Sequence, residues 1–270
     1  MMNGRRMRAI FSINTGRSGS DYLHQIFSHV PGCHAFHEPA PIGNGRAMRR
    51  FARGDERLMR TVAAAKADAV RASWRTADVY FESNHCFIKG FGWLLPHLLP
   101  DDSITVIHLI RDVEKIVASA LRIGCSPLTP LGREWISTPD KRRPLVQPPA
   151  VLGMPRLTFL AAWWLRRWQS RLAPPRDTAP RRGGPLHAYE LDCLRWYVAE
   201  TEAMAALFCR RFPAVRYLRV ELDTLNDPVA VRRLLAALDC APAPTLDACV
   251  GRPTNLMRGT AGDPRERPVP

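Results

Sequence analysis

The chain has 270 residues, of which 46% are hydrophobic and 24% charged, an ordinary globular composition that excludes disordered, collagen-like and coiled-coil classes. Thirty-nine basic residues stand against 25 acidic ones, a net charge of +14, and this predicts an anionic ligand or partner. The longest apolar run, Leu157 to Leu165, is far below the ~20 residues of a membrane helix, and Met1 to Arg8 holds no apolar stretch of signal-peptide length, so a cytoplasmic protein without a transmembrane segment is expected.

In chain order, Ala9 to Ile13 is a continuous apolar strand of the kind buried on both faces. A Gly-rich turn, Asn14 to Ser20, leads into a helix on which Tyr22, Leu23, Ile26, Phe27 and Val30 recur at helical spacing until Pro31-Gly32. His34 to His37 is a short second strand, Gly45 to Arg75 is mostly helical, and Asp78 to Glu82 is a third strand. Ile104 to Ile110 is a fourth, followed by a helix over Asp112 to Ile123. The segment 126–156 carries seven prolines up to Pro155 and reads as a long loop or cover. Leu157 to Leu172 is an amphipathic helix whose inner stripe is expected to hold Leu157, Leu160, Ala161, Trp164, Leu165, Trp168 and Leu172.

A second irregular insertion covers 173–187, and the next helix carries Leu191, Leu194, Val198, Ala205 and Phe208. Val215 to Val220 is a fifth strand, after which Asp227-Pro228 opens a helix with Asp as N-cap and Pro in first position. The remainder, 241–270, is rich in Pro, Gly and Arg and reads as a surface tail. Alternating buried strands and helices predict a single three-layer α/β domain over 1–270, its central parallel sheet covered by helices on both faces. Seven scattered cysteines contain no Cys-x-x-Cys pair and read as reduced thiols. The cluster His24, His29, Cys33, His34 and His37 lacks metal-ligand spacing, since His24 and His29 diverge by ~140° around a helix.

Strand, Gly-rich turn and helix N-terminus together form a phosphate-binding arrangement, in which backbone N–H groups and the helix dipole face an anion. Thr15-Gly16-Arg17-Ser18-Gly19-Ser20 occupies that place, without the Gly-Lys-Ser/Thr of a Walker loop. Arg111 ends the fourth strand where open α/β sheets bind ligands, and Ser119 follows two turns into the next helix, so the two are placed to hold a second phosphate.

Together these segments resemble the PAPS-dependent sulfotransferase family, whose donor is phosphoadenosine phosphosulfate. TGRSGSDYL is similar to that family's loop for the 5′-phosphosulfate, and VIHLIRDVEKIVAS to its second element, where an arginine and a serine hold the 3′-phosphate. Tyr217-Leu218-Arg219-Val220-Glu221 resembles the late strand. The resemblance implies that Arg17 contacts the transferring group, that Thr15, Gly16, Ser18, Gly19, Ser20 and Asp21 line the cradle, and that Arg111 and Ser119 hold the 3′-phosphate. Arg258-Gly259 resembles a basic donor-covering loop of some members. Asp21 departs from the Ser or Thr common there, putting an anion beside a dianionic ligand, and Val113 replaces a proline.

The acceptor's base has two candidates: Glu38, after the second strand, and His85, after the third. A strand-end carboxylate beside arginines stays ionised and accepts a proton, which favours Glu38. The implied activity is sulfuryl transfer from PAPS to a hydroxyl or amine of a small molecule, glycan or peptide, in a scheme that needs no metal. Two rivals are a kinase with an atypical phosphate loop, which lacks an evident Mg²⁺ ligand, and a basic nucleic-acid or polyanion binder, which lacks a reading helix or aromatic sheet. A sulfotransferase-like fold without activity is a third. The acceptor and the oligomeric state leave no mark in the sequence.

Overall fold

A computed structural model describes residues 7–151, 153–172 and 183–252. The chain builds β1 (Arg8–Ile13), α1 (Ser20–Ser28), β2 (Cys33–His37), α2 (Gly45–Ala52), α3 (Arg57–Ser73), β3 (Val79–Ser83), β4 (Ile104–Ile110), α4 (Val113–Arg122), α5 (Pro130–Trp135), α6 (Pro155–Leu172), α7 (Pro185–Arg211), β5 (Arg216–Glu221) and α8 (Pro228–Ala237). All four strand pairings are parallel, and the five strands lie in the order β2-β3-β1-β4-β5.

The expected three-layer α/β fold is present, and the apolar strands explain it. Alternate residues of a strand face opposite sides of a sheet. Ala9, Phe11 and Ile13 of β1 therefore enter a core with Met59 of α3 and Phe208 of α7, while Ile10 enters a second core with Leu23 of α1 and Leu235 of α8. Helices cover both faces. Asp227 caps α8 by accepting the Val229 N–H at 2.9 Å, with Pro228 in the first helical position, as the sequence predicts.

Chain order reverses direction at β1: the chain first visits β2 and β3 on one side, then β4 and β5 on the other. A crevice opens beyond the strand C-termini at such a reversal. The loops after β1, β2, β3 and β4 all end there.

Three sequence expectations need correction. The stripe Leu157, Leu160, Trp164, Leu165 and Trp168 of α6 is exposed, each residue at 38–62%. The helix instead turns Phe159, Ala162 and Trp163 inward, packed with Leu128 and Tyr189. Periodicity located only the broader stripe and took it for the inner one, while the inward face of Phe159, Ala162 and Trp163 is narrower and was not read from the sequence; Leu172's side chain lies outside the described residues.

The proline-rich segment after Cys125 is not a loose cover. It contains α5, and it is pinned by buried acids: Asp140 pairs with Arg53 at 2.7 Å, while Glu200 of α7 pairs with Lys141 at 2.5 Å and accepts the Val146 N–H at 2.8 Å. Those pairings are long-range and have no periodic signature.

The tail beyond 252 and residues 173–182 lie outside the described residues, but 241–252 does not simply wind over the surface. A 3₁₀ turn over Pro244–Ala248 buries Leu246 completely in the α1/α8 core. Leu246→Ala is therefore expected to destabilise the protein by about 2–5 kcal/mol in urea titration. A change within ~0.5 kcal/mol, normal for surface sites, would return this residue to the surface.

Candidate functional site

A cleft of about 440 Å³ opens at the reversal point, lined by the loop after β1, by Glu38, His85 and Arg111, and by residues of α4, α5 and α7.

The loop after β1 is held open from behind. Asn14 donates to Ser12 Oγ at 2.8 Å and accepts the Gly16 N–H at 2.9 Å, and the Tyr197 hydroxyl of α7 donates to the Thr15 carbonyl. Gly16, Arg17 and Gly19 all have positive φ, at 71°, 58° and 89°. For Gly19 the reason is doubly plain: it opens α1 in the left-handed region, and a Cβ there would collide with the Leu222 side chain. For Arg17 the left-handed conformation is strained, a cost usually met where a side chain has a task.

The two segments expected to hold phosphates meet directly. Arg17 donates from Nε to Ser119 Oγ at 3.1 Å, and Arg111 donates from Nη1 to the Arg17 carbonyl at 2.6 Å. The sequence separates Arg17 from the Arg111/Ser119 pair as belonging to two phosphates; in the fold they are one contiguous cationic wall. Arg111 Nε on this wall, and Ser18 Oγ in the same loop but outside the lining of the cleft, are buried with no hydrogen-bond partner among the described residues. Buried polar groups are nearly always satisfied, so such orphans point to a missing acceptor. Ser20 and Asp21 begin α1 and line the cleft. Arg258 and Gly259 lie outside the described residues.

The same cleft is lined by a carboxylate–imidazole couple, whose His85 ring lies against Gly16. Parallel pairing of β2 with β3 sets His37 beside Ser83, so the residues just past each strand are neighbours. Glu38 Oε1 lies 2.5 Å from His85 Nδ1. His85 Nε2 lies 3.1 Å from the Trp135 carbonyl, an acceptor, so a doubly protonated ring donates to both. Burial works against the charged ring, and Cys86 and Glu38 outweigh it, leaving the His85 pKa above its ordinary value. Burial likewise pushes the Glu38 carboxyl up, and the hydrogen bond and charge of His85 outweigh it, leaving its pKa below the ordinary value. Glu38 is thus ionised beside the protonated ring, and it is the more accessible member, with side-chain exposure of 21% against 5% for His85. It too holds a left-handed conformation, at φ 47°. The two base candidates form a single unit.

A buried network that the sequence reading missed holds this couple in place. Lys66 of α3 pairs with Glu82 of β3 at 2.6 Å and donates to the Pro39 carbonyl at 2.7 Å, immediately after Glu38. Asn84, just before His85, donates to the same Glu82 oxygen at 2.8 Å. Beside it, Lys89 donates to the Trp135 carbonyl at 2.5 Å and to the Tyr197 hydroxyl at 3.1 Å. Burial draws its ammonium down to about 8. Nothing periodic marks 84–92; its lone lysine in an otherwise apolar stretch was the available signal.

The histidines near α1 and β2 have other partners: His34 meets Ser73 Oγ and His37 meets Ser83 Oγ, each at 2.8 Å, and His29 meets Thr245 Oγ1 at 2.9 Å. Among the described residues no group of His, Cys, Asp and Glu is arranged to hold a metal, and no helix is long and apolar enough to cross a membrane. Compared with protein-family models and with curated proteins, the chain matches none.

Proposed function

We propose that the protein transfers a sulfuryl group from PAPS to a hydroxyl or amine, with a P-loop-like cradle after β1 binding the donor. One observation supports this reading: a cationic wall with an unpartnered buried donor, Arg111 Nε, lines the same cleft as a carboxylate held ionised by a buried imidazole. An anionic donor and a proton-bearing acceptor are the two reactants such a cleft suits.

In the reaction, the acceptor's oxygen or nitrogen bonds to sulfur as the bond from sulfur to the 5′-phosphate oxygen breaks. The electron pair leaves with phosphoadenosine phosphate, and the acceptor's proton passes to Glu38. Negative charge grows on the leaving phosphate, so fixed N–H groups of the 15–20 loop and the Arg17 guanidinium lower the barrier most. Arg111 and Ser119 hold the distal 3′-phosphate, a group that does not react. His85 does not meet the acceptor; it keeps Glu38 ionised and oriented.

An acceptor screen with isotopically labelled PAPS and mass detection tests the activity: labelled sulfate is expected on an alcohol or amine and to be lost with Glu38→Gln. Label transfer that survives Glu38→Gln unchanged contradicts the assigned base.

Asp21 gives a second test. Its carboxylate stands in the first turn of α1, beside the cradle. Asp21→Thr removes that anion and restores a hydroxyl donor, so calorimetry is expected to show tighter binding of phosphoadenosine phosphate. Weaker binding would instead assign Asp21 a positive part in the site.

A further inference from the structure

Helix α6 carries an apolar face that the fold does not use. Met154, Leu157, Leu160, Trp164, Leu165 and Trp168 are 38–62% exposed. This face does not result from a loosely seated helix, because the opposite face is firmly anchored. Phe159 is fully buried, Ala162 nearly so, and Trp163 lies under the Arg133 and Arg167 guanidiniums at 4.8 and 5.4 Å. Scattered apolar residues are normal on a surface; a stripe of six including two tryptophans along one helix is not.

Charge identifies what covers it. At ~100° per residue, Arg156 and Arg167 fall along one edge of the stripe and Arg171 just inside that edge, and all three are exposed. From 155 to 182 the sequence holds seven arginines (156, 166, 167, 171, 176, 181 and 182) and a single acid, Asp177. A second copy seated antiparallel on this face would bring the two arginine-rich edges together, like charge against like. The tail 253–270 offers little to bury, with Leu256, Met257 and Val269 among Pro, Gly and Arg. Leucine and tryptophan on one side with arginine along its border is the composition of a helix lying in a lipid–water interface, where indole rings sit at headgroup level and arginines reach anionic phosphates.

We infer that α6 is a membrane-docking helix that seats the protein on an anionic bilayer surface. The helix lies flat: apolar residues enter the acyl boundary while Arg156, Arg167 and Arg171 pair with lipid phosphates. This is peripheral attachment, compatible with the lack of a spanning helix among the described residues. It does not depend on the proposed activity, and its test needs neither PAPS nor an acceptor.

The test is co-sedimentation of the full chain with phosphatidylcholine vesicles, with and without about one-third phosphatidylglycerol, at low and high salt. The protein is expected to pellet with the anionic vesicles at low salt and to be released by high salt. Changing Arg156, Arg167 and Arg171 together to Gln should weaken partitioning about fivefold per arginine, roughly a hundredfold in all. The pair Trp164→Glu and Trp168→Glu should weaken it by at least as much, with an unchanged circular dichroism spectrum because both side chains are 60% exposed. Val229→Glu, equally exposed but on α8, should leave it unchanged. Wild-type protein that stays in the supernatant with anionic vesicles overturns the inference. So does a concentration-dependent dimer that the tryptophan changes dissociate and vesicles do not compete with, which would give the face to a second copy.

Discussion

Glu38→Gln is expected to lower kcat for sulfuryl transfer at least ~100-fold while leaving the affinity for phosphoadenosine phosphate nearly intact. Glutamine keeps the shape and the hydrogen bond to His85 but removes the proton acceptor, and a positioned base contributes ~10²–10⁴-fold. The pH profile separates the two members of the couple. The Glu38 carboxyl has a pKa below its ordinary value because His85 offsets the cost of its burial. Activity therefore rises through a low carboxylate pKa as the base ionises. In His85→Asn that compensation is gone and burial remains, so the Glu38 pKa rises and the acidic limb moves to higher pH. A merely structural histidine would reduce the amount of active protein without moving the limb. Should His85→Asn abolish turnover at every pH while Glu38→Gln remains active, the histidine is the base and Glu38 its partner.

Arg17→Ala and Arg111→Ala are expected to fail in different ways. In the proposed reaction Arg17 faces charge that develops during transfer, and loss of one such donor costs ~10²–10³-fold in kcat. Arg111 is there assigned to a phosphate that does not react, so its loss should weaken binding of donor and product alike. Hydrogen bonds to charged groups contribute about 1.5–3 kcal/mol, a Kd increase of roughly ten- to a hundredfold. The structure adds a condition to this division. Arg111 donates to the Arg17 carbonyl and Arg17 to Ser119, so the three residues act as one wall and the double variant should be less than additive. Ser119→Ala removes the Arg17 anchor together with one proposed contact to the 3′-phosphate and should give a milder mixture of both defects. Equal losses of kcat in both arginine variants, with unchanged product affinity, contradict these roles.

Strands are the part of this molecule most legible in its sequence. Ala9 to Ile13 and Ile104 to Ile110 are buried on both faces, which leaves an apolar run with no competing interpretation. The order of loops along the chain also told which residues end at the same sheet edge, so Thr15 to Ser20, Glu38, His85 and Arg111 were all named. Their contacts were not legible. That Glu38 and His85 form a couple follows from β2 and β3 being adjacent in the sheet, and strand order is not written in any one strand. Lys66, Glu82, Lys89 and Tyr197 were passed over because buried polar networks join residues far apart in sequence. Helix α6 shows the opposite failure. Its periodicity is real, but the period is the same whether a stripe faces the core or the outside, and only the position of Phe159 and Trp163 against the rest of the chain decides it.

The most direct measurement is a calorimetric titration of the full chain with phosphoadenosine phosphate in the presence of EDTA, against ATP with Mg²⁺. In the proposed reading, the contiguous wall of Arg17, Arg111 and Ser119, with its unpartnered Arg111 Nε, takes the phosphates of the nucleotide in a scheme that needs no divalent ion. Saturable binding of phosphoadenosine phosphate without metal is predicted, with thermal stabilisation of ~2.7 kcal/mol at a hundred times the Kd. ATP with Mg²⁺ should bind far more weakly. Preference for ATP with Mg²⁺, or no binding of phosphoadenosine phosphate, would contradict the sulfotransferase reading.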